Sequence, residues 1–197
     1  MVKNTSYHHG NLREQIVKTA FKILDEESID SIGVRKIARI LEVAHSAPAN
    51  HFQNKQDLLT TLATESFRHL VSIIDKKIPQ SRVSLQEAIH YFCDTILKYG
   101  LQYPNRYKLL WRTEYTDDKD SELDEAMEEI YVRLTSILKT HAQKIHTDIE
   151  SQAIAFWALI HGYVLLRLDE NLKEGFDEVT GLERQRAIVD VLINGIE

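Results

Sequence analysis

Seven residues between positions 35 and 55 carry side chains suited to a nucleic-acid surface: Arg35, His45, Ser46, Ala47, Asn50, His51 and Lys55. An arginine fork can bond guanine O6 and N7 together, and an asparagine amide can do the same for adenine. A serine hydroxyl bonds several bases, and an alanine methyl can meet a thymine methyl. Arg35 is thus a candidate for a base or phosphate contact. Ser46, Ala47 and Asn50 are candidates for base edges, with His45 opening their segment, and His51 for a phosphate. Lys55 opens a helix, where its charge and the free N–H groups of the first turn can meet one phosphate together. No comparable set supports catalysis or a metal. Cys93 has no base placed beside it, and Asp117, Asp118, Asp120 and Asp124 lack the glycine of a calcium loop. His8 and His9 have no third ligand, and no glycine loop cradles phosphate. No enzyme activity, catalytic residue, metal site or cofactor is expected.

The elements that must position these side chains are legible from apolar spacing. Val34, Ile37, Ala38 and Leu41 follow the i, i+3, i+4, i+7 pattern of one buried helical face. Glu42-Val43-Ala44 then forms a turn. The seven residues His45 to His51 bury little of themselves before Phe52 closes the segment. A short helix held out by its neighbours is how a helix-turn-helix presents its second helix to a major groove. Before the pair, Leu12, Ile16, Val17, Ala20, Phe21 and Leu24 mark a helix capped by Asn11 with Glu14. After it, a long helix begins beyond Asn54, with Asp57 in its first turn. Its stripe of Leu59, Leu62, Ala63, Phe67, Leu70 and Ile74 runs to Pro79. Phe52, Ile37 and Leu41 are assigned to core. Lys3, His8 and His9 form a short arm that either follows a groove or frays.

Beyond Pro79, five more helices are expected. One is capped by Ser84 and Glu87, with Leu85, Ala88, Ile89, Phe92, Cys93, Ile96 and Leu97 inward. A second runs from Asn105 to Glu114. A third buries Leu123, Met127, Ile130, Leu134, Ile137 and Leu138. The last two are capped by Thr147 with Glu150 and by Thr180 with Glu183. From Ala153 to Leu166 every residue except His161 is apolar, small or aromatic. Those fourteen residues are too few for a membrane span, which needs about twenty, so no membrane is expected as a partner. A helix apolar all round needs cover on two sides. Phe156, Trp157, Ile160 and Val164 can face the chain's own core, leaving Ala155, Leu159, Gly162 and Leu166 for something else. In the last helix Leu182, Val189, Leu192, Ile193 and Ile196 make one face, which Ile188 and Val191 widen; Ile188, Val191 and Leu192 are candidates for the contact between copies. Two surplus apolar helices predict a homodimer built on a four-helix contact.

Composition agrees with an all-α chain of about nine helices: among 197 residues there are only seven glycines and three prolines. The expected division is a three-helix head at 1–55 and a long-helix bundle at 56–197. The net charge is −6, unevenly spread. Residues 1–55 hold eight Lys/Arg against six Asp/Glu, a surplus of +2 that leaves −8 on the rest. That sign suits a DNA-binding head on an acidic body. One cysteine excludes an intramolecular disulfide and fits a reducing cytoplasm. The first twelve residues contain no apolar core of a signal peptide.

The stretches VRKIA (Val34–Ala38), LEVAHSAPANHF (Leu41–Phe52) and NKQDLL (Asn54–Leu59) resemble the DNA-binding head of the TetR family of bacterial transcription regulators, at that family's spacing. YHHGNLR (Tyr7–Arg13) and WALIHG (Trp157–Gly162) resemble a recurring subgroup. The resemblance implies an all-α homodimer, usually a repressor, with a ligand pocket in the variable body. Three positions depart from the family pattern: Glu42 where glycine is common in the turn, Ala44 where Ser or Thr caps the reading helix, and Ala49 where a tyrosine meets phosphate.

The expected function is therefore a ligand-responsive regulator of transcription, cytoplasmic and homodimeric, released from a palindromic operator in double-stranded DNA by a small hydrophobic or aromatic effector. The alternative is a small-molecule-binding or enzymatic helical protein with a vestigial head and no DNA target. Candidate effector contacts are Phe92, Cys93, Tyr107, Trp111, Tyr131, Trp157 and His161. Tyr103, Tyr107, Trp111 and Tyr115 recur every four residues along one predicted helix, and Tyr91 is a further polar handle.

Overall fold

The structure, a computed structural model, describes residues 12–77, 83–140 and 148–194. Among these residues the regular structure is helical: α1 (Leu12–Glu26), α2 (Val34–Ile40), α3 (Lys55–Lys77), α4 (Leu85–Gln102), α5 (Pro104–Leu110), α6 (Ser121–Thr140), α7 (Ile149–Leu168) and α8 (Arg184–Asn194). Single 3-10 turns occupy Ala47–Asn50 and Thr113–Tyr115. The ninth helix expected at His45–His51 is thus a 3-10 turn. Asn11 and Thr147, expected as caps, lie outside the described residues, as do the arm residues Lys3, His8 and His9 and the last-helix residue Ile196.

One apolar core runs without a break from Ile16 in α1 to Ile193 in α8, and α3 carries it across. The amino-terminal part of α3 meets α1, and its length packs against α4, α5 and α6. Leu59, Leu62, Ala63, Phe67, Leu70 and Ile74, the stripe the spacing predicts, are all buried, and Leu58 joins them. Asn54 caps α3 by accepting the Asp57 N–H at 2.9 Å, and the Asp57 carboxylate accepts the Gln53 N–H at 2.8 Å. Ser84 and Glu87 form a reciprocal capping box on α4. In α1 the inward set is Ile16, Ala20, Ile23 and Leu24; Ile23 joins it, while Leu12, Val17 and Phe21 lie at its edge.

Around the expected helix at 105–114 the chain departs from simple periodicity. α5 stops at Leu110, and Trp111 and Arg112 lead into the 3-10 turn. The four-residue aromatic repeat therefore splits. Tyr115 turns away to donate its hydroxyl to Asp30 at 2.9 Å. α7 is capped by Asp148, which accepts the Ser151 N–H at 2.8 Å. α8 starts at Arg184, later than a Thr180 cap predicts. Thr180 instead donates its N–H and hydroxyl to Asp177, in a turn that carries Gly181 at φ +71°.

α7 packs against α4, α6 and α8. Its approach to α4 depends on Gly100: a Cβ there would lie 2.6 Å from Val164 Cγ1. The helix runs twenty residues, longer than the fourteen-residue apolar stretch, with a mean hydropathy of 1.3 over its best window. It is long and apolar enough to cross a membrane, and 33% of that window is buried within the chain. Phe156, Ile160, Tyr163 and Val164 face the core. Ala155 and Leu166 are exposed, and Leu159 and Gly162 are half-exposed.

Candidate DNA-reading head and effector cleft

The turn after α2 solves the problem posed by Glu42. Glu42 sits at φ +54°, in the left-handed region. That conformation lets the Val43 N–H reach the Ala38 carbonyl at 3.0 Å and the Glu42 N–H reach the Arg39 carbonyl at 3.3 Å. These are the two reverse bonds that close a helix over a left-handed residue, usually glycine. Glutamate holds the place against a steric cost of roughly 1 kcal/mol. Glu42→Gly is expected to stabilise the protein by about 0.5–1 kcal/mol, because glycine's looser unfolded chain returns part of the gain. Thermal denaturation would check this, with Glu42→Gln expected to change little because it keeps the strained backbone.

The reading segment follows. Pro48 has no N–H, so the α-helical bond to the Ala44 carbonyl cannot form. The chain tightens instead: the Ala47 N–H bonds the Ala44 carbonyl at 2.9 Å, and the Ala49 N–H bonds Ser46 at 3.1 Å. No side chain caps this turn. Pro48 and Phe52 point inward and anchor it, while His45, Ser46, Ala49 and Asn50 are exposed. Ala47 and His51 are half-buried, and Arg35 is exposed on α2. Arg13 covers the Phe52 ring at 5.1 Å. Lys55 is half-buried, because its ammonium donates to the Asp30 carbonyl at 3.2 Å. Two of its three donors are left for another acceptor. The seven residues picked from sequence thus lie on α2, the 3-10 turn and the start of α3.

The body holds a cleft of about 470 Å³ between α6 and α7, lined by Trp111, Asp124, Met127, Glu128, Ile130, Tyr131, Ile154, Trp157 and Ala158. Three expected effector residues meet there: Trp111, Tyr131 and Trp157. The two indoles pack edge to face with centroids 4.9 Å apart. His161 lies behind them, stacked nearly parallel to Trp157 at 6.3 Å, and shares a 3.1 Å hydrogen bond with the Tyr107 hydroxyl. Tyr107 is fully buried, and burial raises its pKa. Phe92 and Cys93 lie outside the cleft, in the buried face of α4, where burial also raises the thiol pKa. Tyr91 is exposed on the same helix. Met127, expected in the core, is 42% exposed and forms cleft wall. Sequence reasoning missed Asp124, Glu128, Ile154 and Ala158. Their signal was positional: Asp124, Met127, Glu128 and Tyr131 share one face of α6 at i, i+3, i+4 and i+7.

His161 also gives the cleft a pH dependence. Burial lowers its pKa below the ordinary 6.5. Between the folded and unfolded values the unfolded chain binds more protons, so stability falls as pH falls. The contribution is complete above about pH 6.5 and is lost as pH drops through the folded value. His161→Gln is expected to flatten the decline in urea midpoint below pH 6.5; His69, lowered by burial and by Arg106 and Lys76, leaves a residual slope.

Between head and cleft stands α5. At its first turn, the Asn105 amide donates to the Leu24 and Glu27 carbonyls at 2.9 and 3.0 Å, closing the end of α1. Arg106 binds Asp25 through two bonds of 2.7 and 2.6 Å and lies over the rings of Phe21 and Tyr103 at 4.3 and 4.6 Å. At its other end Trp111 lines the cleft. Gln56 in α3 donates to the Thr116 carbonyl at 2.8 Å, and Thr60 accepts the Asp117 N–H at 2.9 Å.

A helix-turn-helix head fused to a helical body with an aromatic cleft is the architecture of a DNA-binding regulator. Residues 89–189 match the family model described as the Tetracyclin repressor-like C-terminal domain. The chain belongs to the TetR family of transcription regulators. It is 23% identical over 156 residues to an uncharacterized HTH-type transcriptional regulator of Mycobacterium tuberculosis, spanning 79% of this chain and 70% of that protein. Among solved structures, a Rhodococcus sp. RHA1 protein of unknown function shares the fold with a TM-score of 0.81 at 21% identity, covering 98% of each chain. The transcriptional regulator FadR of Bacillus subtilis, in complex with stearoyl-CoA, shares it with a TM-score of 0.69 at 18% identity, covering 93% of this chain and 99% of that one.

Proposed function

We propose that this protein is a homodimeric repressor whose heads enter successive major grooves of a palindromic operator and whose cleft takes a small hydrophobic or aromatic effector. The observation that carries this reading is α5, whose one end holds α1 through Asn105 and Arg106 while Trp111, just past its other end, lines the cleft. A ligand that wedges Trp111 away from Trp157 moves a helix tied to the head. α3, bonded to the same segment through Gln56 and Thr60, moves with it. Such a ligand releases DNA if it binds the released arrangement better. Arg35, Ser46, Ala47 and Asn50 are assigned to bases, and His45, His51 and Lys55 to the segment's edges and phosphates. Half-sites one helical turn apart lie about 34–36 Å apart. The test is selection of bound DNA from random sequence, followed by titration of the selected site. A palindromic consensus and an affinity that falls steeply with salt are expected. An absence of binding even at low salt overturns the reading.

A further inference from the structure

The cleft has aromatic walls and a rim of one charge. Asp124 and Glu128 stand one helical turn apart on α6, and both line the opening. Neither carboxylate has an ion-pair partner among the described residues. Like charges at this spacing repel each other. Arg133, which borders the same carboxylates, is held instead by Asp75 at 3.0 Å and by Glu129 at 3.4 Å. No lysine or arginine lines the cleft, and the nearest histidine, His161, is kept toward its neutral form by burial. Desolvation, with Glu150, Glu128 and Asp148 near it, raises the Tyr131 hydroxyl pKa. Trp111, Trp157 and Tyr131 supply electron-rich ring faces, which attract cations. A cavity of about 470 Å³ lies within the roughly 300–1,000 Å³ usual for small-molecule sites.

We propose that the cleft between α6 and α7 selects a lipophilic monocation, an amine, quaternary ammonium or phosphonium compound with an apolar or aromatic body. The apolar body packs on Met127, Ile130, Ile154 and the two indoles. The cationic centre lies by Tyr131 and the indole faces, with Asp124 and Glu128 cancelling its charge. This assignment rests on the cleft being the effector site, and it separates this chain from a regulator that takes a polyanionic ligand such as an acyl-coenzyme A. Such a ligand would place its phosphates against carboxylates.

The protein carries its own reporter, since its two tryptophans, Trp111 and Trp157, both line the cleft. The full-length protein is titrated with tetraphenylphosphonium and, separately, with tetraphenylborate, which has the same shape and the opposite charge. Dodecyltrimethylammonium and dodecanoate below their micellar concentrations form a second, flexible pair. Saturable change in tryptophan fluorescence is expected for a cation of either pair, with affinity at least tenfold above its anionic counterpart. Asp124→Asn combined with Glu128→Gln is expected to weaken the cation about tenfold without weakening the anion. An unchanged melting temperature of the unliganded double variant separates lost charge from lost fold. Equal or tighter binding of the anions overturns the cation assignment and leaves the cleft as a ligand site. Silence of both tryptophans toward all four probes overturns the cleft as the effector site as well.

Discussion

Leu166→Glu combined with Val191→Glu is expected to convert the protein to a monomer and to lower operator affinity at least 100-fold. Leu166 is 47% exposed and Val191 72% exposed within the chain. Ile188 and Leu192 are half-exposed beside them on α8. A Cβ added at Gly162 would meet nothing within 4 Å, so another helix can approach there. An exposed apolar surface of this kind marks an interaction site, and a second copy presenting the same two helices is expected to cover it. Two carboxylates per subunit, facing their symmetry mates, place like charges in that contact. Loss of the second head removes the roughly 10²–10⁴-fold gain that linking two binding modules gives. Both positions are exposed in one subunit, so its helix content and internal packing are expected to survive. Sedimentation together with operator titration reads the outcome; a variant that stays dimeric at micromolar concentration sinks the assignment of this face.

The same face shows how far a sequence alone reaches. Phe156, Ile160 and Val164 were assignable to the core and Ala155, Leu159, Gly162 and Leu166 to the outside because one helix has one period. The long stripe of α3 and the Ser84–Glu87 box were legible for the same local reason. The local rules failed where two of them competed. The helix-turn-helix reading of His45–His51 implies a second α-helix, yet Pro48 deletes the N–H that would close it, and the segment settles into a 3-10 turn. Spacing through Tyr103, Tyr107, Trp111 and Tyr115 predicts one aromatic ladder, but the chain leaves the helix at Trp111, and Tyr115 is drawn to Asp30. Thr180 was a plausible cap on composition, but Asp177 takes it into a turn before α8 begins. The cleft was half legible. Its aromatics stood out as unusual residues, while Asp124 was weighed only within a rejected calcium loop and nothing in the sequence marked Glu128. Only the meeting of α6 with α7 and Trp111 gives them a role.

Arg106→Ala is expected to destabilise the protein by about 2 kcal/mol and to uncouple the head from the cleft. No spacing rule marks this residue, since its ion-pair partner Asp25 is 81 positions away in sequence. Its guanidinium makes a bidentate contact with Asp25, and the pair is only partly exposed, at 16% and 34% of the side chains. Planar, two-point pairing of this kind is stronger than a single exposed ion pair. Partial exposure keeps it below the ~3–5 kcal/mol of a fully buried pair broken on one side. The guanidinium also lies against two rings, Phe21 at 4.3 Å and Tyr103 at 4.6 Å, and each cation–π contact contributes about 0.5–1 kcal/mol. For a chain of this size, a loss of about 2 kcal/mol lowers the melting temperature by roughly 4–8 °C. Asp25→Ala removes only the ion pair and is expected to cost less. The Asp25–Arg106 double variant should fall short of the sum, because both changes delete one interaction. Function separates a brace from a coupling element. If α5 transmits the ligand's effect, Arg106→Ala retains operator affinity at temperatures where it is folded but loses most of the ligand-induced release. Asn105 continues to hold the end of α1, so a small residual response is expected. Release undiminished in Arg106→Ala would mean that α3 alone carries the signal through Gln56 and Thr60.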